Sequence, residues 1–149
     1  MERDDIHYVA ELDQLSFSLP WTERSFRFEV EENDRSRCWV AEINGRIVGM
    51  LILWLIVDEA HIATLAVHPE HRRKGFASRL LKEALSSAYL EGARSSTLEV
   101  RAGNLAARDL YDQFGFVVVG RRPRYYKDNY EDAILLTLDH LEEIQRLQA

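Results

Sequence analysis

The chain has 149 residues, 46% of them hydrophobic and 30% charged, with 7 glycines, 3 prolines and 1 cysteine, the profile of one ordinary globular domain able to bury its own core. Disorder, a collagen repeat and a disulfide scaffold are excluded, since Cys38 has no second cysteine to bridge, and a formal net charge of −6 argues against nucleic acid as a partner. The acidic stretch Met1 to Asp5 is followed by no apolar signal region, and the apolar run Ile47 to Val57 is shorter than the ~18 residues of a membrane span, so a cytoplasmic protein without a membrane partner is expected.

No repeat, linker or low-complexity segment interrupts the sequence, and it reads as a single domain over residues 1–149. Ile6, Val9, Leu12 and Leu15 recur at helical spacing behind Asp4-Asp5, which predicts a first helix. Ser16 to Trp21 ends it, because Pro20 disfavours the helical conformation for Leu19. Thr22 then caps a second helix that aligns Phe26 with Val30. From Arg37 the period falls to two, with Trp39, Ala41 and Ile43 opposite Cys38 and Val40. Asn44-Gly45 predicts a tight turn into a second strand over Arg46 to Val57. Asp58-Glu59 predicts another turn, into a third strand over Ala60 to Val67.

Phe76, Leu80, Leu81, Ala84, Leu85, Ala88 and Tyr89 trace one stripe of a long helix that stops at Gly92. A strand over Thr97 to Arg101, a helix over Asn104 to Phe114 ended by Gly115, and strands over Phe116 to Arg121 and Glu131 to Leu138 follow, with a short helix over Leu141 to Leu147. This order predicts the α/β class, with a mixed (α+β) sheet and helices on both faces. The helical crossover makes the third and fourth strands parallel.

Two stretches can carry chemistry. His71-Arg72-Arg73-Lys74-Gly75-Phe76-Ala77-Ser78 lies between a strand end and a helix start, where free backbone N–H groups, the positive end of the helix dipole and three cationic side chains can hold a phosphate or pyrophosphate. A plain basic surface loop has the same composition. No Walker loop or dinucleotide fingerprint is present, so ATP hydrolysis and nicotinamide binding are disfavoured. The second stretch centres on Glu99, which alternates with Leu98 and Val100. A partly buried carboxylate there suits a general base, whereas spacing alone favours the commoner case of a solvent-facing carboxylate paired with Arg101. Tyr111, beside the Leu110/Phe114 stripe, is either a core-edge aromatic or an acid.

Other signals point to ordinary roles. His68 and His71 have no third ligand at metal-binding spacing, so no metal is expected, and Cys38 reads as a core thiol. Arg121, Arg122, Arg124 and Lys127 interleave with Tyr125, Tyr126 and Tyr130. In an acidic chain this pattern fits a solvated loop or the wall of a ligand cleft better than a nucleic-acid surface.

In this order the pieces resemble the GNAT superfamily of acetyl-CoA-dependent N-acetyltransferases. Ile62 to Val67 followed by Arg72-x-x-Gly75-x-Ala77 is similar to the family's coenzyme A motif, and Asn104-x-Ala106-Ala107-x-x-Leu110-Tyr111-x-x-x-Gly115-Phe116 to its second signature. Within it the chain resembles the RimI-type ribosomal-protein-alanine N-acetyltransferases and archaeal N-terminal acetyltransferases through Phe17-Ser18-Leu19-Pro20-Trp21, Asp58-Glu59-Ala60, Leu98 to Arg101, Tyr125-Tyr126 and Glu131-Asp132-Ala133. The segment Lys127-Asp128-Asn129-Tyr130 is shorter than in many bacterial RimI-type enzymes and nearer the archaeal pattern.

The resemblance implies a GNAT fold with acetyl-CoA as co-substrate and a protein or peptide N-terminus as acceptor. It implies that the backbone of Leu65, Ala66 and Val67 holds the pantetheine arm, that Val67 N–H polarises the acetyl carbonyl, and that Arg72, Arg73, Lys74, Gly75, Phe76, Ala77 and Ser78 wrap the pyrophosphate. Asn104 touches the coenzyme, Glu99 is the base, directly or through a water, Tyr111 protonates the departing thiolate, and Phe17, Trp21, Tyr125 and Tyr126 contact the acceptor. A partner subunit could redirect such an enzyme. An acetyltransferase for a small amine or a lysine side chain shares the coenzyme chemistry, and a silent acyl-CoA-binding module is the third reading.

Overall fold

The computed structural model describes residues 1–146. After a single 3-10 turn at Arg3–Asp5, α1 spans Ile6–Ser16 and α2 Glu23–Glu31, with Thr22 Oγ1 accepting the Ser25 N–H at 3.1 Å as the expected cap. β1 (Ser36–Ile43) and β2 (Arg46–Ile56) form the predicted antiparallel hairpin, and Asn44 (φ 51°) and Gly45 (φ 79°) supply the two left-handed residues its turn requires. The remaining elements are β3 (Glu59–Val67), α3 (Phe76–Leu90), β4 (Ser95–Arg101), α4 (Leu105–Phe114), β5 (Val117–Arg122), β6 (Ala133–Asp139) and α5 (Glu142–Arg146). Leu147, the expected last residue of the final helix, lies outside the described residues.

The strands form one six-stranded sheet in the order β1-β2-β3-β4-β6-β5. β3 runs parallel to β4, from Glu59 opposite Ser95 to Ile62 opposite Leu98, as the crossover requires. β6 pairs antiparallel with both β4 and β5. With its flanking helices this is the α/β arrangement with a mixed sheet that the element order predicts.

Element ends moved for identifiable reasons. The turn after β2 is made by Val57 and Asp58, not Asp58-Glu59, and Val57 takes a left-handed φ of 59°. β4 starts at Ser95 instead of Thr97, because the serines that read as a loop are paired. Ser95 N–H reaches Asp58 O, and the fully buried Ser96 donates its hydroxyl to Ala60 O at 2.7 Å. β6 starts at Ala133 instead of Glu131, because Glu131 and Asp132 bind the turns beside them through their carboxylates.

The chain divides into two compact units, Met1–Leu55 with Ala63–Ala84, and Ile56–Ile62 with Leu85–Ala149, so that β3 and α3 each contribute to both. In the first unit Ile6, Val9, Leu12, Phe26, Met50, Ile52 and Ala66 form a buried cluster with Phe17, Trp21 and Trp54 packed against it. This is the apolar stripe of α1 and α2 meeting the apolar run of β2. In the second unit, alternate residues of β4 and β6 are buried, including Leu98, Val100, Ile134, Leu136 and Leu138, together with Tyr111, Phe116 and Leu141. No helix of the described residues is long and apolar enough to cross a membrane.

Candidate active site

In the first unit the basic stretch forms the strand-to-helix junction expected of it. β3 ends at Val67, Pro69–His71 makes one 3-10 turn, and Arg72 Nε donates to Val67 O at 3.1 Å. Arg72 therefore braces the strand end, while Arg73 and Lys74 are exposed. Arg73 (φ 64°) and Gly75 (φ 86°) are both left-handed, which curls the backbone into the first turn of α3. The first helical bond spans Arg79 N–H to Gly75 O at 3.1 Å, so Phe76, Ala77 and Ser78 occupy the turn whose N–H groups lack helical acceptors. A Cβ on Gly75 would meet nothing within 4 Å. An open, cationic concavity of backbone donors at a helix N-terminus is suited to a phosphate. Leu65, Ala66 and Val67 form the last turn of pleat before it, with Ala66 and Val67 buried.

Phe17 and Trp21 also belong to the first unit. Trp21 lies 5.3 Å from Phe26 and 6.5 Å from Trp54 between ring centroids, the latter nearly parallel. With Trp54 and residues of α2 it lines a cavity of about 730 Å³. Phe17 is partly buried against the same core. Both are thus anchored aromatics, not a dangling loop.

In the second unit Glu99 stands on β4 opposite Leu135 of β6. Its side chain keeps about a quarter of its surface, and its carboxylate lies 3.5 Å from Arg122 Nη2 of β5. Tyr125 hydrogen-bonds to it, and the Glu99 charge is the main reason the Tyr125 phenol is pushed up. Arg101, the alternative partner weighed for Glu99, bonds Asp128 at 2.9 Å, approaches Glu131 at 3.5 Å and stacks over the Tyr126 ring at 4.0 Å.

Glu131 in turn accepts the Gly103 N–H, and that bond first, then Asn129 and Arg101, holds its carboxyl below the usual range. Tyr126 N–H bonds Glu131 O, and Tyr130 N–H bonds Tyr126 O, so the segment carrying Tyr125 and Tyr126 is fixed from both sides.

Tyr111 is 6% exposed, its ring packed edge-on against Phe116 at 5.5 Å. Burial drives its phenol well above the ordinary value, so it stays protonated throughout the neutral range. Asn104 caps α4, its Oδ1 accepting the Ala107 N–H at 3.2 Å. Sequence reasoning passed over His61, whose Nδ1 lies 3.0 Å from Thr97 Oγ1. Burial lowers its pKa, against the opposing charges of Glu99 and Glu59. Its one signal, the β3–β4 register, becomes visible only once the strands are paired.

Cys38 is half-buried 3.4 Å from Ser36 Oγ, and burial pushes its thiol up, as suits a core thiol. His68 spends its Nδ1 on the Glu70 N–H, the loop role expected of it. Among the described residues no group of three or more His, Cys, Asp or Glu is placed to hold a metal.

Residues 6–116 match the family model described as acetyltransferase (GNAT) family. A Bacillus subtilis (strain 168) relative, provisionally named ribosomal protein bS18-alanine N-acetyltransferase, is 37% identical over 136 residues, 91% of this chain and 90% of its own. The crystal structure of the ribosomal-protein-S18-alanine N-acetyltransferase from Escherichia coli superposes with a TM-score of 0.86 at 30% identity, covering 94% of this chain and 90% of that one. Ard1 from Thermoplasma volcanium gives a TM-score of 0.83 at 28% identity, covering 94% of each chain. The chain belongs to the acetyltransferase (GNAT) family.

Proposed function

We propose that this protein transfers the acetyl group of acetyl-CoA to the N-terminal α-amino group of a protein, with the N-terminal alanine of a ribosomal protein as the acceptor its relatives' names indicate. The observation that carries this reading is the likeness, over 94% of the chain, to the Escherichia coli enzyme that acts on such an alanine. The left-handed Arg73 and Gly75 and the open space over Gly75 fit the coenzyme's pyrophosphate.

Acetyl-CoA supplies an activated acyl group that a neutral amine attacks directly. The backbone of Leu65, Ala66 and Val67 binds the pantetheine arm like an added strand, and Val67 N–H polarises the acetyl carbonyl. Arg73, Lys74 and the N–H groups of residues 75–78 take the pyrophosphate, with Arg72 bracing the turn through Val67 O. Asn104, its oxygen engaged in capping α4, offers its amide N–H to the pantetheine.

An α-ammonium has a pKa of about 7.7 to 8.0, against about 10.4 for lysine, so a single carboxylate suffices to free it. Glu99 accepts that proton, directly or through a water. Tyr111, kept protonated by burial, donates its own to the thiolate as the C–S bond breaks. Phe17, Trp21, Tyr125 and Tyr126 receive the first residues of the acceptor.

The test is coenzyme A thiol release with two peptides, one with a free alanine N-terminus and one N-terminally blocked with an internal lysine. Turnover is expected with the first alone, and turnover with the second alone overturns the assignment.

A further inference from the structure

The segment between α1 and α2 is held at both ends by one residue. Asp13 accepts the Phe17 N–H through its main-chain oxygen at 3.0 Å, and the Trp21 N–H through its side-chain Oδ2 at 2.6 Å. The first bond closes α1 where Phe17 turns extended (φ −132°, ψ 144°). The second fixes the main chain just before the Thr22 cap of α2. The side chain is 1% exposed, and its other oxygen, Oδ1, is buried with no hydrogen-bond partner among the described residues.

Helix stability gives no reason for an aspartate there. Its helix propensity is poor, its charge opposes the dipole in a last turn, and a buried carboxylate oxygen without a donor is unfavourable. Leucine at position 13 would remove all three penalties. What leucine lacks is an acceptor for Trp21.

We infer that Asp13 is a positioning residue for the acceptor, fixing the Phe17–Trp21 segment in the conformation that receives the acceptor's N-terminal residues. This rests on the function proposed above, in which Phe17 and Trp21 contact the acceptor. Asp13 does not touch the reacting atoms, so its loss shows in acceptor recognition and not in coenzyme binding or the chemical step.

The experiment measures kcat and both KM values, with thermal melting, for Asp13→Leu and Asp13→Asn. Asp13→Leu, close in shape but without the acceptor, is expected to raise the acceptor-peptide KM about tenfold, the scale of one lost charge-assisted hydrogen bond. Its acetyl-CoA KM should stay within about twofold of the parent, as should kcat, because the pyrophosphate turn is untouched. Asp13→Asn keeps an oxygen for the Trp21 N–H and is expected to restore the acceptor KM.

An unmoved acceptor KM, a parallel rise in both KM values, or an Asn variant as impaired as Leu overturns the proposal. If Asp13→Leu does not fold, Asp13→Glu decides instead. It keeps the charge but displaces the anchor by one methylene, and must raise the acceptor KM alone. A parent enzyme that acetylates no α-amine overturns the functional reading and this proposal together, whereas an active parent with unmoved variants overturns the proposal only.

Discussion

Glu99 is the residue on which the proposed chemistry turns, and its surroundings make its contribution measurable. With Arg122 at 3.5 Å and the Tyr125 hydroxyl bonded to it, the carboxylate is held in place by neighbours that survive replacement by glutamine. Glu99→Gln is expected to lower kcat/KM about a hundredfold near pH 6, where little free α-amine exists, and progressively less toward pH 9. A rate unchanged across that range removes Glu99 from the proton path. Tyr111→Phe keeps the ring on Phe116 and deletes only the hydroxyl, so kcat should fall at least tenfold while calorimetry finds acetyl-CoA affinity nearly intact. Lost affinity instead makes the residue structural.

Asp13 gives a stability prediction of definite sign. Burial raises its carboxyl from 3.8 to about 6, against the opposing effect of the Trp21 N–H. The native state therefore holds this proton more tightly than the unfolded chain. The associated stability is full below pH 3.8 and is lost as pH rises through 6, on the order of 3 kcal/mol in all. Asp13→Asn, which never ionises, should gain in melting temperature relative to the parent between pH 4 and pH 7. A constant difference across that interval contradicts the assignment. Strand alternation and helix spacing left Glu99 and Tyr111 open between ordinary surface or core-edge roles and proton transfer, and the family resemblance alone pointed to the second, while Arg122, Tyr125 and His61 were not legible as Glu99's company. They come from other strands and a turn, brought together by a register that no single segment encodes.

Among the elements, the strand-to-helix junction was the most readable, because its chemistry is local. A glycine, a small residue and flanking cations at a helix start imply an anion site whatever the rest of the fold does. The left-handed Gly75 also gives a clean test, since a side chain there meets no atoms and only the backbone conformation is penalised. Gly75→Ala should destabilise by about 1 kcal/mol and raise the acetyl-CoA KM severalfold with the acceptor KM unchanged in steady-state kinetics. The opposite split places the coenzyme elsewhere.

Element ends were less legible where side chains bond across the fold. Ser95 and Ser96 look like a loop until Asp58 O and Ala60 O accept from them. Glu131 looks like a strand residue until Gly103 claims its carboxylate, and a Cβ at that glycine would approach the same oxygen to 2.6 Å. The basic-aromatic run from Arg121 to Tyr130, which begins at the end of β5, is mostly exposed, as a solvated loop or cleft wall would be, and its first two cations pair with acids, Arg121 with Asp132 at 3.0 Å and Arg122 with Glu99 at 3.5 Å.

Across the chain, the alternation of hairpins with helical crossovers was enough to predict a mixed sheet with its third and fourth strands parallel. The order of the last two strands was not predictable in the same way, because β6 inserting between β4 and β5 depends on long-range pairing. The division into two units was equally silent in the sequence, since β3 and α3 run through both without a linker. The residues proposed to hold acetyl-CoA fall mainly in the first unit, and Glu99, Asn104 and Tyr111 in the second.

The central claim is that the acceptor is an α-amine. Mass spectrometry of a mixed peptide library, with varied first residues and an internal lysine, tests it after incubation with acetyl-CoA and the purified protein. The account predicts acetylation at N-terminal α-amines with a readable first-residue preference that includes alanine. Acetylation of lysine alone, or of no peptide, would contradict it.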